Sequence, residues 1–137
     1  MTRTAFQRLA RLRLRDARVL LRTGNHEGAY YLTGLAVECG LKSAIARKTR
    51  RHDFPPEPKI VSKQVYVHDS NTLLGAAGLV SALNTAARTD PALKANWALV
   101  KDWTNESRYS LSAPGADGLY RATAGRNGVL RWLRQHW

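Results

Sequence analysis

Five arginines recur at intervals of three and four residues near the start of the chain. This spacing places side chains on one face of an α-helix, so the five guanidinium groups are expected to point along a single line. A row of cations predicts a ridge that follows the phosphates of a nucleic acid. The alternative is a solvated helix face whose aliphatic stems cover apolar surface. The residues of this arginine stripe are Arg8, Arg11, Arg15, Arg18 and Arg22.

The overall charge favours the same kind of partner. The 137 residues include 22 Lys and Arg but only 10 Asp and Glu, which gives a formal net charge of +12. Phosphate neutralisation and counterion release supply most non-specific binding to nucleic acid, so nucleic acid is the leading candidate partner. A basic composition that merely keeps a small domain soluble is the alternative.

Other reactive groups are scarce in the sequence. It contains no metal-ligand cluster, Gly-rich phosphate loop or nucleophile elbow, so neither a metal nor a cofactor is predicted. Cys39 is the only cysteine, so no intrachain disulfide can form and a reducing, cytoplasmic compartment is favoured. No apolar run approaches the roughly 20 residues that cross a bilayer, and no signal-peptide core is present. No membrane contact is expected.

The central element is predicted to be a long helix over residues 26–48 with almost no polar face. Apolar residues recur at helical spacing around nearly its whole circumference, so other helices must surround it. Gly34 and Gly40 would each cost an isolated helix about 1 kcal/mol relative to Ala. We therefore expect neighbouring helices to approach the backbone at these two positions.

The remaining segments are also predicted to be helical and to form one all-α domain over residues 1–137. A short turn at Gly24 makes the first two helices an antiparallel hairpin. A long surface connection is predicted over 49–69, with extended residues around 61–67. The predicted helices run over 2–22, 26–48 and 72–88, from Asp90 to about Trp103, and from about Leu119 to the end of the sequence.

Three motifs resemble those of a known family. They are the run GNHEGAYYLTGLAVECGLKSAIA, the step His68-Asp69, and the segment WALVKDWTNESRY that ends at Arg108-Tyr109. In this order they are similar to the HEPN domain family of small bacterial and archaeal helical proteins. The resemblance implies an up-and-down bundle of about five helices, usually a homodimer. Family members accompany nucleotidyltransferases or act as metal-independent ribonuclease toxins in toxin–antitoxin and defence systems, and others have lost catalysis.

The nuclease branch of that family pairs an Arg with a His four to six residues later. There the cation holds phosphate and the imidazole serves in acid–base cleavage through the RNA 2′-hydroxyl. Two pairs separated by five residues match this spacing, Arg131 with His136 and Arg47 with His52. The resemblance makes Arg131 and His136 the candidate catalytic pair, because they lie in the predicted last helix, broadly where the family carries its motif. Ordinary surface cations are the alternative for both pairs.

The Arg108-Tyr109 step has two interpretations. Glu38 and Lys42 lie one turn apart in the central helix and can pair, but a carboxylate in so apolar a segment calls for a further cation. Arg108 is predicted to supply it, which is a structural role. In the alternative, Arg108 and His68 line a nucleotide or phosphate pocket at the edge of a dimer.

Two functions remain open at this point. The preferred prediction is a non-catalytic binding module that engages RNA, a nucleotide, a nucleotidyltransferase or an antitoxin protein through the arginine stripe. The alternative is a metal-independent ribonuclease that uses Arg131 and His136. A homodimer is predicted from the resemblance, from surplus apolar surface on the first helix, and from Trp132 and Trp137, which are expected near an exposed C-terminus.

Overall fold

The computed structural model describes residues 1–48 and 67–137, and the regular elements in these ranges are all helices. The predicted all-α class is therefore confirmed. The predicted connection over 49–69, its extended stretch and His52 lie wholly or largely outside the described residues. None of the described helices is long and apolar enough to cross a bilayer. The elements are α1 (Arg3–Arg22), α2 (His26–Arg47), α3 (Ser70–Ala76), α4 (Val80–Thr89), α5 (Pro91–Lys101), the 3₁₀ turn η1 (Asn105–Tyr109), α6 (Ala116–Ala124) and α7 (Val129–Leu133).

The first two helices form the predicted antiparallel hairpin. Gly24 ends α1 with a φ of 79°, a left-handed conformation that glycine adopts without steric cost. Beside this turn, the end of α1 packs on the start of α2 where Leu20 lies over Gly28. At the opposite end of the hairpin, the Ser43 hydroxyl donates to the Arg3 carbonyl over 3.3 Å. The two helices therefore run side by side along their full lengths.

The second helix is the centre of the molecule. Thirteen of its 22 residues are buried, so it keeps no face for solvent, as its sequence predicts. The helices α1, α3, α6 and α7 and the turn η1 all contact it. This arrangement explains the apolar circumference of α2, since every side of the helix meets a neighbour.

Two glycines of α2 allow these close contacts. The Trp103 indole, which is 1% exposed, lies on the backbone at Gly34, where a Cβ would overlap the ring. At Gly40 an added Cβ would lie 3.0 Å from Leu130 and 3.3 Å from Leu133 of α7. The prediction that a neighbouring helix approaches α2 is confirmed at Gly40, whereas at Gly34 the contact comes from Trp103 in the connection between α5 and η1.

Two of the predicted helices are interrupted. The helix predicted over 72–88 divides into α3 and α4, because Gly78 adopts a φ of 70° and turns the chain between them. The last predicted helix divides into α6 and α7 at a tight turn in which the Gly128 N–H donates to the Gly125 carbonyl over 3.0 Å. The described residues therefore form seven α-helical segments where about five helices were predicted.

The two C-terminal tryptophans are buried, contrary to expectation. Trp132 is 8% exposed and Trp137 is 6% exposed. The Trp137 ring lies against Gly40 of α2, and the guanidinium groups of Arg11 and Arg134 lie 5.0 and 6.0 Å from its ring centre. The absence of a side chain at Gly40 leaves room for the Trp137 ring. Cation–π contacts with Arg11 and Arg134 stabilise it there. The argument for a homodimer from these two tryptophans is wrong.

Candidate nucleic-acid interface

The arginine stripe lies on the exposed side of α1. All five of its arginines are exposed, and the stripe extends over about 21 Å at 1.5 Å per residue. The acidic residues of α1 and α6 have partners elsewhere. Asp16 binds Arg13 at 3.2 Å, and Asp117 binds Arg121 at 2.8 Å. Within residues 1–48 and 67–137, no carboxylate forms an ion pair with the stripe.

The middle of the stripe forms one wall of a groove between α1, α6 and α7. One part of this groove is a cavity of about 240 Å³. It is lined by three stripe arginines, two leucines, Tyr120 and Arg134. An adjoining cavity of about 300 Å³ shares Leu14, Leu130 and Arg134 with the first and adds Thr123 and Arg131. The residues that line this arginine groove are Arg11, Leu14, Arg15, Arg18, Tyr120, Thr123, Ala124, Leu130, Arg131 and Arg134.

Helical spacing explains how each element contributes to the groove. Tyr120 and Thr123 are three residues apart on α6, and Arg131 and Arg134 are three residues apart at α7. The stripe was predicted from the sequence, but Tyr120, Thr123 and Arg134 were not. The spacing of these residues is a signal only once α6 and α7 are known to pack beside α1.

Thr123 has an unusual environment for a hydroxyl. It is 0% exposed, and its Oγ1 has no hydrogen-bond partner among the described residues. A buried threonine in a helix normally returns its hydroxyl to the carbonyl four residues earlier, as Thr33 does to Ala29 over 2.7 Å. A buried hydroxyl without a hydrogen bond lowers the free energy of unfolding by about 1–3 kcal/mol. Such an unpaired donor beside the groove indicates a functional role.

The candidate catalytic pair occupies two different surroundings. Arg131 is exposed and lines the arginine groove. His136 instead lies against Trp132, with 4.5 Å between the ring centres, and does not line the groove. Burial, and secondarily the positive charge of Arg47, lowers the pKa of His136 below its ordinary value of 6.5. His136 is therefore mostly neutral at pH 7, beside Arg47.

The buried carboxylate of α2 is satisfied differently from the prediction. The Glu38 side chain is 5% exposed and accepts a hydrogen bond from Lys42 Nζ at 2.6 Å, as predicted. Its second partner is His68, whose Nδ1 lies 2.9 and 3.0 Å from the two carboxylate oxygens. Arg108 is not that partner. It lies exposed on η1, and its guanidinium is 4.8 Å from the ring centre of Tyr109. The structure thus brings Glu38 and His68 together without Arg108.

The only cysteine of the sequence is inert by position. Cys39 is buried in α2, and burial, with a further contribution from the adjacent Glu38 charge, raises the pKa of its thiol to about 11. A thiol that stays protonated is a poor nucleophile. Among the described residues, no three His, Cys, Asp or Glu side chains could hold a metal ion together.

No family model, curated protein or solved structure matches the chain. The resemblance to the HEPN family therefore stays a prediction.

Proposed function

We propose that this protein is a non-catalytic RNA-binding module of the HEPN type, which holds the phosphate backbone along the arginine stripe. The observation that carries this proposal is the exposure of all five stripe arginines on one helix face, with no described carboxylate paired to them. Like charges this close repel one another, and a polyanion relieves that repulsion. The net charge of +12 adds long-range attraction for the same ligand.

The groove favours an extended chain of phosphates over a small anion. Arg131 and Arg134 of the C-terminal segment extend the cationic surface beyond α1. Arg11 and Arg134 also lie over the Trp137 ring, which restricts their motion before any ligand binds. Guanidinium groups held in place lose less conformational entropy when they bind phosphate oxygens.

The proposal includes the assembly that the resemblance implies. We propose a cytoplasmic homodimer, and a nucleotidyltransferase or an antitoxin protein as its cellular partner. One structural feature is consistent with self-association, since Val19 on α1 is 54% exposed. A single exposed apolar side chain is equally ordinary on a monomer, so the homodimer is proposed on the resemblance alone.

A metal-independent ribonuclease is the second candidate. The observation that favours it is the lowered pKa of His136 beside the Arg47 charge, since a neutral imidazole can act as a general base at pH 7. Against this hypothesis, His136 lies on the Trp132 ring while Arg131 lines the groove.

Binding to a labelled single-stranded RNA, followed by fluorescence anisotropy in EDTA, tests the proposal. The triple variant Arg11→Gln, Arg15→Gln, Arg18→Gln should bind at least tenfold more weakly, because three phosphate contacts are lost from the groove. The control triple variant Arg88→Gln, Lys94→Gln, Lys101→Gln removes three exposed cations from the α4 and α5 surface and should change affinity little.

The outcomes separate the two candidates. Equal weakening by both triple variants would mean that net charge alone acts, which contradicts a defined interface. RNA cleavage in EDTA that His136→Ala abolishes would establish the ribonuclease instead.

A further inference from the structure

The arginine groove contains more than a phosphate ridge requires. Its first cavity combines Arg11, Arg15 and Arg18 with two leucines and the ring of Tyr120. Backbone phosphates do not bind aromatic rings or aliphatic side chains. The flat face of a nucleic-acid base does stack on such groups. In the described structure the arginines with a ring contact lie over Trp137 or Tyr109, so no cation occupies the face of Tyr120.

The second cavity offers hydrogen-bond donors. The Thr123 hydroxyl is buried and has no partner among the described residues. Thr123 is one of the residues that line this cavity, together with Arg131 and Arg134. Two guanidinium groups and a hydroxyl with a free proton form a set of donors that suits the oxygens of one phosphate. Both cavities are cationic and share Arg134, but the first adds the Tyr120 ring, which suits a base, and the second adds Thr123, which suits its phosphate.

The size of the groove fits a single nucleotide. The two cavities measure about 240 and 300 Å³, and together they fall in the range of roughly 300–1,000 Å³ that is usual for small-ligand sites. A base inside a duplex is stacked and paired, so it cannot enter such a groove, whereas an unpaired base can.

We infer that the arginine groove holds one unpaired nucleotide of a single strand, with its base against Tyr120 and its phosphate at Thr123, Arg131 and Arg134. This inference rests on the proposed nucleic-acid binding and adds the kind of strand that is bound. The base and phosphate chemistry is common to RNA and DNA.

The test compares an unpaired RNA 12-mer, the same RNA annealed to its complement, and the DNA 12-mer of the same sequence. Tyr120→Leu keeps an apolar side chain but removes the ring. It should weaken single-strand binding by about 5- to 150-fold, the range for loss of one stacked base, and leave duplex binding unchanged. Tyr109→Leu is the matched control, because Tyr109 is 70% exposed on η1 and does not line the groove. It should leave both affinities unchanged.

Thr123→Val provides a second, independent variant. The exchange removes the hydroxyl at nearly constant volume, so it should weaken single-strand binding about threefold or more while the melting temperature stays the same or rises. A role of Thr123 in stability alone predicts a lower melting temperature and no change in affinity, which would overturn the phosphate subsite.

The failures of the two proposals can be told apart. If no nucleic acid binds even at low salt, the proposed function fails. If single strands and duplexes bind equally well and Tyr120→Leu changes neither affinity, the proposed function stands and the inference about an unpaired nucleotide is overturned. If Tyr120→Leu weakens binding of the RNA or the DNA 12-mer, the inference is supported. The 12-mer that is affected identifies the type of nucleic acid that is bound.

Discussion

Glu38 illustrates how single residues adapt to the apolar helix at the centre of the fold. Its carboxylate is almost fully buried, yet Lys42 and His68 both reach it. The lysine comes from the next turn of the same helix, and the histidine comes from the segment before α3. Because Glu38 joins two elements, its charge ties the start of α3 to α2.

Removal of Lys42 should destabilise the protein, because it leaves the buried Glu38 charge with one partner fewer. We expect Lys42→Met to lower the free energy of unfolding by about 3 kcal/mol, because among the described residues the Glu38 carboxylate keeps only the half-exposed His68 as a partner. The double variant Glu38→Met, Lys42→Met should recover most of that loss, since an apolar pair suits the surroundings. Urea unfolding measures both values. A double variant as unstable as the single one would contradict this account.

His136 should make stability depend on pH. Burial holds the pKa of His136 in the folded protein below 6.5, so the unfolded chain binds more protons in this range. Stability is therefore highest above pH 6.5 and falls as pH decreases toward the folded pKa. Melting temperatures at pH 7.5 and 5.5 measure the fall.

The His136→Asn variant should flatten this dependence. His26→Asn, which changes an exposed imidazole at the start of α2, is the control and should keep the wild-type slope. An unchanged slope in the His136 variant would show that another group is responsible.

At the scale of elements, apolar spacing and capping residues predicted α1, α2 and α5 well. Asp90 caps α5 by accepting from the Leu93 N–H at 3.0 Å, with Pro91 in the first helical position, as its sequence indicates. The interruptions between α3 and α4 and between α6 and α7 were missed. Glycine is tolerated within helices, so its presence alone does not reveal which one interrupts a helix.

The two glycine contacts of α2 give a direct test at this scale. Gly34→Ala should destabilise the protein by about 1–3 kcal/mol or more, because the new methyl group meets the rigid Trp103 indole. Gly118→Ala is the matched control on α6, where nothing lies within 4 Å of an added Cβ. It should be neutral or stabilise the helix by up to about 1 kcal/mol. Equal effects of the two exchanges in thermal unfolding would contradict the packing described for α2.

At the scale of the whole molecule, the candidate site was predicted only in part. The arginine stripe is local and follows from spacing within one helix. The groove requires α1 to pack beside α6 and α7, whose residues lie about 100 positions away, and no periodicity within a helix specifies that contact. The prediction that Arg108 pairs with Glu38 was wrong for the same reason. The partner of Glu38 depends on which loop contacts α2, and the spacing of residues does not specify that.

The charge of the molecule leads to a prediction for salt dependence. One phosphate at each of the five stripe arginines and a sixth shared by Arg131 and Arg134 would give a slope of about −4 in log K against log salt for single-stranded RNA. We expect Arg15→Gln to reduce this slope by about 0.7, and Arg88→Gln on α4 to leave it unchanged. Anisotropy titrations from 50 to 300 mM NaCl measure the slopes. A wild-type slope close to zero would contradict a phosphate interface.

The position of Trp137 has an optical consequence. Its indole lies beneath Arg11 and Arg134, which both line the groove, and the ring also packs on Gly40 of α2. A ligand that draws either guanidinium toward a phosphate changes the electric field at this indole. The intrinsic emission of the protein should therefore shift on binding, and Trp137→Phe should abolish the shift. The molecule thus contains its own fluorescent reporter of an occupied groove.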